Sequence, residues 1–272
     1  MKITKTKTPF EVFEKLTTIG ASISYKFDGI FEKDHRKTKS TYYLAKVLNT
    51  NMTILSLING TKNYSDSIDL STIYSLLRNQ LETCNIYWHL IDDYSTDKNL
   101  DLNLLIFEYH DTLSSQVIYN SLFYTEENEK YFKEKEEKQL IEIENNPDFQ
   151  LLDNNRKKQI INGNRSTIYT QFEIVDKRGI DLRMFKAYYK IFSTHIHSSP
   201  TAIKNLVSSK INKDNEEFEI MFFFVSLNYI SLFIADMILS VVDLWNISDL
   251  KEDDKRVLEF LKNQLYSDSV IS

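Results

Sequence analysis

Backbone breakers are scarce in this chain: 272 residues hold 5 glycines and 3 prolines, where average usage gives roughly 19 and 14. Turns, bulges and left-handed positions lean on glycine, and proline stops helices. A Gly-rich nucleotide-binding α/β fold, a turn-dense sandwich and a disordered chain are therefore all disfavoured. The sequence reads as all-α, a multi-helix bundle forming a single helical domain over 1–272. Within it lie a less regular segment at 1–39 and a charged helical insert at 126–161, the latter expected to project from the bundle.

Hydrophobic spacing gives the elements. From Ser40 to Ile58 the apolar residues Tyr43, Leu44, Val47, Leu48, Ile54, Leu55 and Ile58 recur at threes and fours, as one helix face requires. A second helix follows the Tyr64–Asp69 loop, with Ile73, Leu76, Leu77, Leu81, Cys84, Trp88 and Ile91 on its buried side and Ser71 as its cap. Asp101–Tyr124 reads as a third, with Leu104, Leu105, Phe107, Val117, Ile118 and Leu122 inward, pairing antiparallel with the second. Further helices are expected at Asp148–Ile161, Asp181–Ser198, Glu216–Leu244 and Glu252–Tyr266, and the central members are 70–94, 100–124, 181–198 and 216–244. Pro9–Thr18 reads as helix. Beyond it, Ile23, Tyr25 and Phe27 alternate with Ser22, Ser24 and Lys26, which leaves helix and strand both open for Ala21–Phe31.

The run from Ile220 to Trp245 is apolar enough to suggest a membrane span, but it holds Asn228, Asp236 and Asp243. A carboxylate at mid-bilayer costs about 2.5–3.5 kcal/mol on the lenient scale, so a central buried helix is the better expectation and no membrane contact is predicted. The basic stretch Met1–Thr8 leads into Pro9-Phe10-Glu11 rather than an apolar run, unlike a secretory signal. A single cysteine, Cys84, excludes an internal disulfide and fits a reducing compartment. The expected location is cytoplasmic.

With Lys+Arg 33 against Asp+Glu 39, the net charge is −6, so no global basic field points to nucleic acid. The charge is uneven: Met1–Ser40 is +4 and the remainder −10, which leaves nucleic acid possible but unsupported by net charge. Between Glu126 and Asn146 acidic and basic residues nearly alternate, Glu127, Lys130, Glu134, Lys138 and Glu142 among them. That pattern makes a solvated helix laced with i,i+4 pairs, and 126–146 is the expected seat of a protein partner.

Candidate chemistry concentrates on two helices. Arg78 and Glu82 are four apart and share a face, with His89 seven further on. Tyr189, Ser193 and His197 follow an i, i+4, i+8 line on another helix. If these helices pack, Arg78, Glu82, Ser193 and His197 form a catalytic set flanked by Tyr189 and His89 as binding residues. The competing reading is an interhelical hydrogen-bond network that fixes register. Helical-bundle ribonucleases place a His a few residues after an Arg on one helix, a spacing that neither Arg78 and His89 nor Arg183 and His195 satisfies. An RNA- or nucleotide-acting enzyme would need Arg78 and His197 to meet across helices, the imidazole moving a proton and the guanidinium holding phosphate. A di-metal bundle needs two inward Glu-x-x-His pairs, and the one match is Glu32-Lys33-Asp34-His35 in a charged stretch. No phosphate-cradling Gly-rich motif occurs. No cofactor and no metal are expected.

Leu77-Arg78 with Leu81-Glu82, followed farther along by Tyr188-Tyr189, Ser193, His197 and Pro200, resembles a family of bacterial all-helical proteins classed as a domain of unknown function and often found near mobile and phage-defence genes. The resemblance spans roughly Ser40 to Leu244. It implies that Arg78, Glu82, Ser193 and His197 are the family's shared polar positions, and it brings no reaction; the leading expectation is a partner-binding component of a defence or stress system.

Overall fold

A computed structural model describes residues 8–60, 70–93, 97–196 and 213–267. Among them are eleven α-helices and no strand: α1 Pro9–Tyr25, α2 His35–Gly60, α3 Leu70–Tyr87, α4 Asp97–Leu122, α5 Glu126–Glu144, α6 Pro147–Gln150, α7 Asn154–Ile161, α8 Gln171–Lys177, α9 Leu182–Ile196, α10 Lys213–Leu244 and α11 Glu252–Leu265. A π-turn, Trp88–Asp92, follows α3 directly. Where the sequence reads as one domain with an insert, the packing divides the chain into two compact units, Met1–Trp88 with Ile174–Ser272, and His89–Glu173.

The first unit is organised around α10, whose buried residues point in every direction. Leu227, Ile230, Phe233, Ile234, Ala235, Ile238 and Val241 are all sealed. From Tyr229 to Val242 the helix has no side to give to water, and α1, α2, α3 and α11 pack along it. Helix α1 starts at Thr8, which accepts from the Glu11 amide at 3.3 Å while Glu11 Oε2 accepts from the Thr8 amide at 2.7 Å, a reciprocal cap. It runs on as helix to Tyr25, so the strand alternative for Ala21–Phe31 is not realised. The alternation there is accidental: Ile23 is sealed while Tyr25 is 80% exposed, and the stripe that decides is Phe13, Leu16, Ile19, Gly20 and Ile23. At Gly20 a Cβ would come within 2.6 Å of Leu48 Cδ2, so glycine lets α1 lie close against α2.

Ser71 does not cap α3, because the helix already begins at Leu70, and the Ser71 carbonyl accepts from Ser75 Oγ at 2.9 Å. One charged cluster lies inside this apolar unit. Arg178, just beyond α8, donates to Asp236 Oδ2 on α10 at 2.8 Å and to Asn85 Oδ1 on α3. Tyr266 donates to the same Asp236 oxygen at 2.8 Å, and Lys262 Nζ lies 3.3 Å from Oδ1. Burial opposes the Arg178 charge, but Tyr266 and Asp236 more than offset it, so its pKa is raised.

The second unit has its own core of Leu102, Ile106, Tyr109, Ile143, Phe149, Ile160 and Ile168. Within this unit α4 packs along α5 and against α6. The reason lies in α5, whose charged sequence conceals an inward stripe, Phe132, Gln139 and Ile143. Asn146 caps α6 and Asp153 caps α7, and Tyr109 donates to the Ile161 carbonyl at 3.0 Å. The expected inward face of α4 also moves. Leu102, Ile106 and Tyr109 form it, whereas Val117, Ile118 and Leu122 are exposed at 67%, 52% and 70%.

Removing one member of a buried ion pair strands the other, at about 3–5 kcal/mol. Asp236→Asn is thus expected to lower the urea midpoint strongly, while Arg178→Met combined with Asp236→Leu should recover most of the loss. Burial pushes the Cys84 thiol up to about 12. The native chain should therefore resist Ellman's reagent at pH 8 and react only as it unfolds.

Candidate functional site

The sequence-derived set of polar residues divides when placed in space. Helix α3 buries Tyr74, Leu77, Leu81 and Cys84, which sets Arg78 and Glu82 one step round, on the shoulder facing α9. Helix α9 buries Phe185, Tyr188 and Phe192, with Tyr74 and Phe192 stacked between the helices at 5.9 Å. Tyr189 is thereby carried to the same shoulder. Arg78 Nε donates to Glu82 Oε1 at 2.9 Å, Arg78 Nη2 donates to the Tyr189 hydroxyl at 2.8 Å, and that hydroxyl donates to Glu82 Oε1 at 2.8 Å. The guanidinium also lies 4.7 Å from the Tyr189 ring centroid, a cation–π contact.

This is a closed triangle in which each group answers the other two. Burial opposes the Arg78 charge, but the Glu82 carboxylate and the tyrosine outweigh it, so the guanidinium pKa is raised. Burial and the bond to Glu82 raise the Tyr189 pKa, keeping the phenol protonated and able to donate. Such a centre binds two helices together well and moves protons poorly.

Ser193 does not join it. Ser193 Oγ donates to the Tyr189 carbonyl at 2.6 Å, so its hydroxyl is committed to its own helix. His197 and Pro200 lie outside the described residues. His89 belongs to the second unit, where it is fully buried with Nδ1 3.7 Å from Asp93 Oδ2 and its ring 5.4 Å from that of Tyr169. Near α2, Glu32 Oε1 accepts from the backbone amides of Lys33 and Asp34. Among the described residues no three His, Cys, Asp or Glu side chains gather as a metal site.

A second candidate went unrecognised in the sequence. At the α4–α5 junction Val117, Ile118, Tyr119, Leu122, Phe123, Tyr124 and Tyr131 are all exposed, and Tyr119 meets Phe123 at 6.0 Å and the inward Phe132 at 5.3 Å. The junction is held firmly. Thr125 caps α5 by accepting from the Asn128 amide, Asn128 Nδ2 donates to the Phe123 carbonyl, and the Tyr124 hydroxyl donates to Glu129 Oε2 at 2.9 Å. Bonds from Lys133 and Tyr124 hold Glu129 below the ordinary glutamate pKa. The missed signal was the unbroken apolar run Leu122-Phe123-Tyr124 directly before a cap and a highly charged helix, with no long partner to cover it.

Comparisons with family models, characterised proteins and solved structures return no match.

Tyr189→Phe and Arg78→Ala are each expected to cost about 1 kcal/mol, the usual net worth of a partly exposed hydrogen bond. A double-mutant cycle on urea unfolding should show the two changes to be non-additive, and strict additivity would mean that the triangle is not coupled.

Proposed function

We propose that this chain is a partner-binding protein whose docking surface is the α4–α5 junction, and that it works in the cytoplasm within a defence or stress system. The observation that carries the binding role is the exposed row Val117, Ile118, Leu122, Phe123, Tyr124 and Tyr131. Exposed apolar surface on this scale marks interaction sites in folded proteins, and aromatic side chains dominate the energetics of such sites. The defence or stress setting rests on the family resemblance of the Arg78, Glu82, Ser193 and His197 pattern. The charged helix expected to receive a partner is α5, and the surface lies at its N-terminal end, where its first turn carries Glu126, Glu127 and Glu129.

The alternative, an enzyme acting on RNA or nucleotide, gains nothing from Arg78 and Glu82, which neutralise each other, or from Ser193, whose hydroxyl is bonded to backbone.

A photo-crosslinking residue placed at Ile118 or Leu122, in cells that naturally express the chain, should yield discrete adducts on irradiation. The same residue at Leu151, exposed but away from the junction, should yield none. Equal labelling at all three positions, or no adduct at 118 and 122, would remove the basis for the proposal.

A further inference from the structure

We infer that the partner seated on the α4–α5 junction is a second copy of this chain, an inference that rests on the binding role above. The first argument is area. Val117 and Tyr119 point to opposite sides of α4, so the face that can be shared is Ile118, Leu122, Phe123, Tyr124 and Tyr131, whose exposed fractions leave roughly 600 Å² open at about 200 Å² per large side chain. That is the lower end of what each partner contributes to a stable interface and the upper end of the largest patch of a typical monomer, about 300–600 Å².

The second argument is charge. An interface about a two-fold axis uses one patch twice, so its rim must be self-complementary. The exposed start of α5 meets this requirement, with Glu126 and Glu127 in the first turn and, in the next, Lys130, 77% exposed and held only by a loose 3.8 Å pair to Glu134 of its own helix. When two α5 helices pass antiparallel, the acidic turn of each copy faces the lysine of the other. A foreign partner of a single sign would find either the Glu126 and Glu127 turn or Lys130 opposed. An anionic lipid surface or a nucleic acid would find Glu126, Glu127 and Glu129 in the way, where either calls for clustered Lys and Arg.

The third argument is order. The Thr125 cap and the Asn128 and Tyr124 bonds already fix the junction, so association costs little further conformational freedom.

Sedimentation equilibrium of the full chain is the test. The expected mass is twice 32.1 kDa at micromolar concentration. Leu122→Asp with Phe123→Asp should weaken association by at least about a hundredfold, as the loss of two central anchors implies, while the helical content by circular dichroism stays unchanged. Glu127→Lys and Lys130→Glu should each weaken it, and the two together should restore it, since the swapped charges pair again across the axis. A wild type that stays at 32.1 kDa throughout overturns the inference, as does a dimer indifferent to the Leu122 and Phe123 changes. A monomer that floats with phosphatidylglycerol vesicles through Phe123 would also overturn it. The binding role fails separately: a monomeric chain that still forms junction-specific adducts of another mass in cells keeps that role and loses self-association, and a chain without adducts loses both.

Discussion

The first unit depends on the need to enclose a helix that is apolar around its whole circumference while keeping one carboxylate inside it satisfied. Ile230, Phe233, Ile234, Ile238 and Val241 leave α10 no solvent side between Tyr229 and Val242, so neighbours must surround that stretch. Asp236 then fixes how they are turned. Its two oxygens are shared by Arg178, Tyr266 and Lys262, which tie the end of α8 and the last helix to the central one, while Asn85 brings in α3 through Arg178. Apolar burial supplies the drive but is indifferent to small rotations; the ion pair and its hydrogen bonds are directional.

Much of this was legible in the residues. The few glycines and prolines and the threefold and fourfold spacing of apolar positions led to an all-helical bundle, and the helices at 40–58, 181–198 and 216–244 lie where those spacings put them, up to the limit of the described residues. The Arg78–Glu82 spacing was enough to expect a shared face, and Tyr189 does reach it. What could not be read is instructive. Ile23 and Tyr25 alternate as a strand would, and only the neighbour at Leu48 makes a helical stripe the better burial. Asp236 declared that it needed a partner, yet nothing in the chain singled out Arg178 from the other basic residues. Val117, Ile118 and Leu122 have helical apolar spacing in full, but spacing shows that a face is apolar and cannot show that anything covers it.

The two units handle polarity in opposite ways. In the first, the polar groups that looked most like a reaction centre satisfy one another: Arg78, Glu82 and Tyr189 close a triangle, and Ser193 bonds its own helix. In the second, the helix with the most charged sequence hides an apolar stripe, and the apolar residues next to it are left outside. Candidate function therefore moves from the cluster with catalytic residue types to the surface whose burial is incomplete. Stability explains the first arrangement. The second has an energetic cost in an isolated chain, which association would remove.

Hydrogen exchange followed at low and at high protein concentration addresses this shift most directly. The account predicts that amides in 117–131 become protected as concentration rises, while those around Arg78 and Tyr189 exchange at the same rate in both. Protection that appears at the triangle, or a junction that exchanges identically at every concentration, would contradict it.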